Sequence, residues 1–250
     1  MKAIIVAAGT GSRLGELTKE LPKPLIDVNG KSIIERQISS FRKAGIDEIT
    51  IVTGPFAEKY SFKNVKYVNG KKSFSHDILY SLIEAKSEMI DDVIISYGDI
   101  IFEDSIVQTL LNSKNGISLA IDLKWEKMYQ NKSKNLVDKV SNVFIENNQI
   151  TKIGYKENLG EPDKKTVGEF IGLAKFSKKT IGDFLKIYLE LEKSHNGKFH
   201  DSPSVKEGII TDMLQEFIDR NYTLNPIFVA GKWCEIDTID DLKNARMLFQ

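Results

Sequence analysis

The chain of 250 residues balances 35 lysines and arginines against 35 aspartates and glutamates. It therefore lacks the strongly basic composition that non-specific nucleic-acid binding requires. Cys234 is the only cysteine. That excludes an intramolecular disulfide framework and a zinc cluster and predicts a reducing, cytoplasmic setting, and the absence of a signal-peptide pattern or long apolar stretch predicts neither secretion nor membrane insertion.

The elements alternate in a β-then-α manner from the start. Ala3 to Ala8 is a short apolar run rich in β-branched residues, which predicts a strand buried on both faces. Gly9 and Gly11 follow it and let the backbone turn and approach a ligand, so that N–H groups can face phosphate oxygens. Arg13 and Lys23 bring positive charge to the same loop, and Pro22 and Pro24 stiffen the backbone around Lys23. The spacing fits neither a Walker loop nor a dinucleotide fingerprint, since Leu14 stands where a third glycine would be. A helix is predicted on the stripe Ile33, Ile34, Gln37, Ile38 and Phe41, then a strand from Glu48 to Thr53 and another from Val65 to Val68. A polar loop from Asn69 to His76 leads to a helix whose apolar face is Ile78, Leu79, Leu82 and Ile83.

Val93 to Tyr97 is the next predicted strand, and it ends in Gly98-Asp99. A helix around 104 to 112 precedes Gly116 to Asp122, read as continuing the parallel series. These elements predict a Rossmann-like doubly wound, mixed and mainly parallel sheet with helices on both faces, its ligand crevice at the carboxyl ends of the strands at 3–8 and 93–97. In the second half, Asn147-Asn148 predicts a hairpin, Gly168 to Phe176 a strand, and 178–193 and 205–220 helices. The polar segment Ser194 to Ser204 reads as a lid or an oligomer contact, and a homodimer is one expected assembly. Residues 1–250 are read as one domain, with a nucleotide-binding half over 1–122 and an acceptor-binding half over 123–250.

Asp99 and Asp237 each follow a strand, where a carboxylate can emerge over a crevice, and two carboxylates from distant parts of the chain suit magnesium. Asp237 or Thr238 could equally cap the last helix, and Asp104, Asp240 and Asp241 are assigned to helix N-termini. His76, His195 and His200 lack metal-ligand spacing.

The run Gly-x-Gly-x-Arg-Leu-x-x-Leu-Thr-x-x-x-Pro-Lys-x-Leu from Gly9 to Leu25 resembles the signature of the nucleotidyltransferases that join a nucleoside triphosphate to a phosphorylated small molecule. The resemblance implies that Arg13 holds the β- and γ-phosphates and that Lys23 bridges the α-phosphate and the acceptor, making these two the catalytic pair. It raises Asp99 and Asp237 as ligands of Mg2+. The loop residues Ala7, Ala8, Gly9, Thr10, Gly11 and Ser12, with Gly98, are then nucleotide-binding, and Ala7, Ala8, Ser73 and Ser81 are candidates for reading the base. Lys23 is also treated as a solvated charge whose removal would spare the fold. Where many sugar-nucleotide members have a proline two residues before the Leu-Thr pair, this loop has Gly15-Glu16, and Glu16 either points away or binds a cation.

Over its full length the chain is most similar to the cytidylyltransferases for phosphocholine, 2-aminoethylphosphonate and related compounds. The matching segments are Ile94 to Ile100, Asp122 with Trp125, Gly168 to Leu173, and Trp233 to Asp237. This implies CTP and a small phospho- or phosphono-acceptor as partners. Ser96, Asp122, Trp125, Tyr129, Asp138, Glu169 and Glu235 are the acceptor-binding candidates, since aromatic faces and carboxylates suit an amino or quaternary ammonium group. Trp125 and Tyr129, four apart, could instead share a buried helical face. The alternatives are a sugar-1-phosphate nucleotidyltransferase and a non-catalytic nucleotide-binding module.

Overall fold

A computed structural model describes residues 1–9, 11–70, 78–129, 137–162 and 165–250. Its first strand, β1 (Lys2–Ala7), alternates Ile4 and Val6 toward one face of a sheet with Ala3, Ile5 and Ala7 toward the other. Both sets are buried, so this strand lies mid-sheet, between two layers of helices. A small ribbon, β2 (Asp27–Val28) and β3 (Lys31–Ser32), precedes the helix Ile33–Lys43. Ser32 and Glu35 form a capping box that fixes where this helix starts.

The strands β4 (Ile49–Thr53), β5 (Lys66–Asn69) and β6 (Val93–Tyr97) join β1 in parallel, with β1 between β4 and β6. After β6 come β7 (Ile100–Phe102) and β8 (Ile117–Asp122). The hairpin β9 (Ser141–Glu146) and β10 (Gln149–Tyr155) turns through Asn147 and Asn148, both with positive φ, as the asparagine pair predicts. The eleven-residue β11 (Thr166–Phe176) is antiparallel to β9 through its first residues and to β6 through its last. Finally β12 (Asn225–Phe228) runs parallel to β8, and β13 (Trp233–Glu235) pairs antiparallel with β7.

The parallel series therefore does not continue into β8. Strand β11 lies between β6 and β8 and is antiparallel to both. An apolar run such as Ile117–Asp122 declares its burial but not its neighbours, and β12, short and carrying Pro226, gave no strand signal of its own. Helices Ile33–Lys43 and Asp104–Asn112 cover one face, contributing Ile34, Phe41 and Val107 to its core. Helices Ile78–Glu84, Lys178–Ser194 and Ile210–Asp219 cover the other with Leu79, Phe184 and Phe217. A third core gathers Leu14, Ile33, Ile101 and Cys234 against the final helix Ile239–Leu248. Cys234 is thus a packing residue. Among the described residues no helix is long and apolar enough to cross a membrane.

Candidate active site

The loop after β1 is shaped by Gly11, whose φ of 65° is left-handed and whose Cβ, if present, would lie 2.8 Å from the Cβ of Lys23. The Thr18 hydroxyl donates to the Gly11 carbonyl at 2.8 Å and ties the loop shut, while Leu14 is buried beneath it. Glu16 is turned to solvent beside Lys19, which answers how a carboxylate is tolerated in this loop. The short turn Lys23–Leu25 opens at Pro22 and carries Lys23 inward, leaving it 7% exposed.

Asp99 and Asp237 meet because of the ribbon β7–β13. Ile100 pairs with Glu235, so the residue before β7 and the residues after β13 lie at the same end, and the Ile236 amide donates to the Asp99 carbonyl at 3.0 Å. Lys23 Nζ donates to Asp99 Oδ2 at 2.9 Å and to Asp237 Oδ1 at 2.5 Å. Arg13 Nη1 lies 2.8 Å from Asp237 Oδ2. The carboxylates of Asp99, Glu235 and Asp237 have oxygens all within 4.8 Å of one another. Thr238, not Asp237, caps the last helix, in a box with Asp241.

The electrostatics follow from that crowding. Burial opposes the Lys23 ammonium, yet Asp99, Asp237 and Glu235 outweigh it and hold its pKa above the ordinary lysine value. Burial, together with Asp99 and Asp237, pushes the Glu235 carboxyl up to about 8, against the pull of Lys23. Three converging carboxylates are a hard, all-oxygen donor set of the kind a divalent cation takes. The residues present therefore fit Mg2+, with Glu235 as a third donor beside the two that the sequence indicates.

Two cavities adjoin at this cluster. A cleft of about 820 Å³ is lined by Ala7, Ala8, Gly9, Gly11, Ser12, Arg13, Lys23, Ser81, Gly98, Asp99 and Asp237, all of them singled out in the sequence. Its opposite wall is Tyr155, Asp201, Ser202, Pro203, Glu207 and Ile209. A second cavity of about 380 Å³ shares Arg13, Ile78, Tyr155, Ile209 and Asp237 with the first and adds Tyr97, Tyr129, Lys139, Ser141, Glu169, Trp233 and Glu235. Thr10, Ser73 and His76 lie outside the described residues.

Several acceptor candidates sit elsewhere. Ser96 is fully buried and donates to the Gln37 side chain at 2.9 Å, because it shares strand parity with Ile94 and faces the helix Ile33–Lys43. Asp122 accepts from Trp233 Nε1 at 2.8 Å and from the Lys124 amide at 2.7 Å, which engages both of its oxygens. Trp125 is buried, packed edge-on against Tyr129, and outside both linings. Asp138 is half-buried outside the cavities, and its neighbour Lys139 lines the second.

Glu169 and Tyr129 are brought together, with the phenol donating to Glu169 Oε1 at 2.6 Å. The segment Ser194 to Ser204 is fastened rather than free. Asp212 accepts from the Asp201 amide, the Ser202 hydroxyl and the Ile209 amide, and Asp201 accepts from the Tyr155 amide. Asp104 stands in the first turn of its helix, as expected, and also bonds Ser40 and Lys43. Sequence reasoning missed Tyr155, Lys139, Ser141 and the wall at 201–209. The polarity of Ser194 to Ser204 was the one signal for that wall.

A glycine-bearing basic loop at the carboxyl end of β1, facing paired aspartates across a cleft, defines a nucleotidyltransferase of the Rossmann-like nucleotide-sugar transferase fold. The chain belongs to the MobA-like NTP transferase family, whose model matches residues 3–128. It is 31% identical over 258 aligned positions to a CTP:phosphoglutamine cytidylyltransferase of Campylobacter jejuni, covering 97% of this chain and 98% of that one. It is 35% identical over 117 positions to a choline-phosphate cytidylyltransferase of Streptococcus pneumoniae, covering 45% of this chain and 51% of the other. The structure of a CTP:phosphocholine cytidylyltransferase from Streptococcus pneumoniae superposes on the whole chain with a TM-score of 0.73 at 19% identity, covering 99% of that structure, which is a likeness of fold.

Proposed function

We propose that the enzyme transfers CMP from CTP to a small phosphorylated or phosphono acceptor with release of pyrophosphate. The observation that carries this reading is the pair of adjoining cavities that share Arg13 and Asp237, with Lys23 lining the larger and bonded to that shared Asp237. The larger takes the nucleoside triphosphate and the smaller the acceptor. Relatives in support act on phosphoglutamine and on choline phosphate, and the first of them matches the chain from end to end.

An oxygen of the acceptor's phosphorus group attacks the α-phosphorus of CTP. A new P–O bond forms as the bond from the α-phosphorus to the bridging oxygen breaks, and pyrophosphate leaves in line. The attacking oxygen is already anionic at neutral pH, so catalysis is positioning and charge neutralisation, without a general base. Arg13 binds the outer phosphates, and Lys23 sits where acceptor and α-phosphate meet. The loop amides of Gly9, Gly11 and Ser12 face the phosphate chain. Asp99, Asp237 and Glu235 would hold Mg2+, which when bound supplies positive charge to the triphosphate oxygens. Until then Lys23 and Arg13 are the counterions of that carboxylate cluster.

The test is pyrophosphate release with magnesium, with CTP, UTP, dTTP, GTP and ATP each offered with phosphocholine, 2-aminoethylphosphonate, other amino phospho-compounds and glucose-1-phosphate. Turnover with CTP and an amino phospho-acceptor is expected. Turnover confined to glucose-1-phosphate would assign the smaller cavity to a sugar, and nucleotide binding with no turnover across the panel would speak for a regulatory module.

A further inference from the structure

Asp212 is 1% exposed, and among the described residues no cation pairs with its carboxylate. It accepts instead from three neutral donors, the Asp201 amide at 2.8 Å, the Ser202 hydroxyl at 2.5 Å and the Ile209 amide at 2.9 Å. Burial raises its pKa, and these three bonds work against burial. A carboxylate buried without a countercharge is costly, so its donors are what keep it in place.

Helix capping accounts for one of the three bonds. Asp212 is the third residue of the helix Ile210–Asp219, and it reaches back to the Ile209 amide just ahead of that helix, as the carboxylate of a capping box does. The other two bonds go to residues 11 and 10 positions earlier. One carboxylate therefore closes both ends of the segment 201–209. Between those ends, Pro203 and Glu207 line the larger cleft.

The constraint passes on to the end of β10. Asp201 accepts from the Tyr155 amide at 2.7 Å and from the Asn158 side chain at 2.5 Å. Gly154 permits this approach, since a Cβ there would lie 2.7 Å from Asp201 Oδ2. Tyr155 and Ile209 line both cavities, as do Arg13, Ile78 and Asp237. Two of the residues at the junction are thus tied to a side chain that itself lines neither cavity. Arg13 and Asp237 reach the same junction from the loop after β1 and from the ribbon β7–β13, so the two sides of the junction are positioned independently.

We propose, resting on the cytidylyltransferase reading, that Asp212 is a positioning residue of the reaction. By clasping the segment 201–209 and, through Asp201, the end of β10, it holds Tyr155 and Ile209 at the distance from Arg13 and Asp237 that aligns the acceptor with the α-phosphorus. Misplacement of about 1 Å at such a junction costs on the order of a hundredfold in rate.

The experiment compares Asp212→Asn with Gln215→Leu in the full chain. Asparagine keeps the shape but offers one acceptor oxygen, so it cannot serve both the Asp201 amide on Oδ1 and the Ile209 amide on Oδ2. Gln215 lies on the same helix and accepts from the Ile153 amide of β10 at 2.9 Å, so its loss loosens the same helix from the same strand without touching the clasp. Steady-state kinetics on both substrates are run where thermal melts show each variant folded, and hydrogen exchange is followed at the Tyr155 amide. Asp212→Asn is expected to lower kcat about ten- to hundredfold, with smaller changes in either KM, and to speed exchange at Tyr155 by about tenfold or more. Gln215→Leu is expected to lower the melting temperature and leave kcat unchanged. A folded Asp212→Asn enzyme with kcat within about twofold of wild type overturns the proposal and leaves Asp212 a helix cap. An equal fall of kcat in Gln215→Leu overturns it also, as does unchanged exchange at Tyr155. If Asp212→Asn does not fold, Gly154→Ala takes its place, crowding Asp201 Oδ2 with Asp212 intact, and the same fall of kcat is required of it. Failure of the underlying reading looks different: the wild-type protein consumes no CTP with any acceptor, and the proposal falls with it even where exchange at Tyr155 still reports the clasp.

Discussion

Lys23 shows how far a single residue's role depends on what surrounds it. As a loop lysine between prolines it reads as a solvated charge, but it is 7% exposed and bonded to two aspartates. Its removal would leave three neighbouring carboxylates with Arg13 as their remaining counterion. We expect Lys23→Ala to lower turnover by at least about a hundredfold, as loss of a preorganised charge at a reacting centre does. It should also cost roughly 3 kcal/mol of stability in chelator, the scale of breaking a buried ion pair. Magnesium should restore part of that loss by neutralising the same oxygens. Thermal melts of the variant with EDTA and with magnesium decide it, and equal melting temperatures in the two would show that the carboxylates are not competing for a cation.

At the scale of elements, β11 does most to build the smaller cavity, lining it with Glu169, Phe170 and Ile171. Its first residues pair with β9 and its last with β6, and its pairing with β8 shifts register between Phe170 and Ala174. Gly172 sits in that irregular stretch with φ of 82°, and a Cβ there would stand 2.7 Å from Cγ of Tyr97. Gly172→Ala is expected to cost about 1–3 kcal/mol from overpacking and left-handed strain. By displacing the Tyr97 ring it should raise the acceptor's KM more than that of CTP. Steady-state kinetics on both substrates would check this, and a variant with unchanged acceptor KM would remove Tyr97 from the cavity wall. Gln37 does comparable work beside the larger cleft, which Gly98 and Asp99 line. Its amide donates to the carbonyls of Tyr97 and Ile100, which bracket the turn carrying Gly98 and Asp99. Neither device was legible beforehand, because a bulge and a buried amide depend on partners far away in sequence.

For the molecule as a whole, ion pairs between remote segments set a pH dependence. Glu88 is buried and meets Lys66 at the edge of the sheet and Lys2 at the start of β1. The Lys66 hydrogen bond, helped by Ser87 and Lys2 and opposed by burial, holds the Glu88 pKa below its ordinary 4.5. A depressed carboxylate pKa contributes stability that is present above the unfolded-state value and is lost as the pH falls through the folded one. Glu88→Gln should therefore be less stable than wild type by about 1 kcal/mol near neutrality, with the gap closing in acid as the pH falls through the folded-state value. Denaturant melts at neutral and acid pH test this, and a gap independent of pH would assign it to packing.

What could be read from the sequence is local. The apolar run at 3–8, the Gly-Arg-Lys loop, the strand ending in Gly98-Asp99 and the asparagine hairpin were legible because each follows from backbone preference or side-chain chemistry within a few residues. Arg13, Lys23, Asp99 and Asp237 were legible for the same reason, and the fold brings them within reach of one another. Which side chains face the second cavity follows from the packing of strands remote in sequence. That choice turned Ser96 toward Gln37, engaged Asp122 with Trp233, buried Trp125, and put Lys139 rather than Asp138 on the wall. The physical reason is that a strand offers alternate residues to opposite faces, and only the partners it pairs with, here an antiparallel β11 set between two parallel series, fix which face becomes the site.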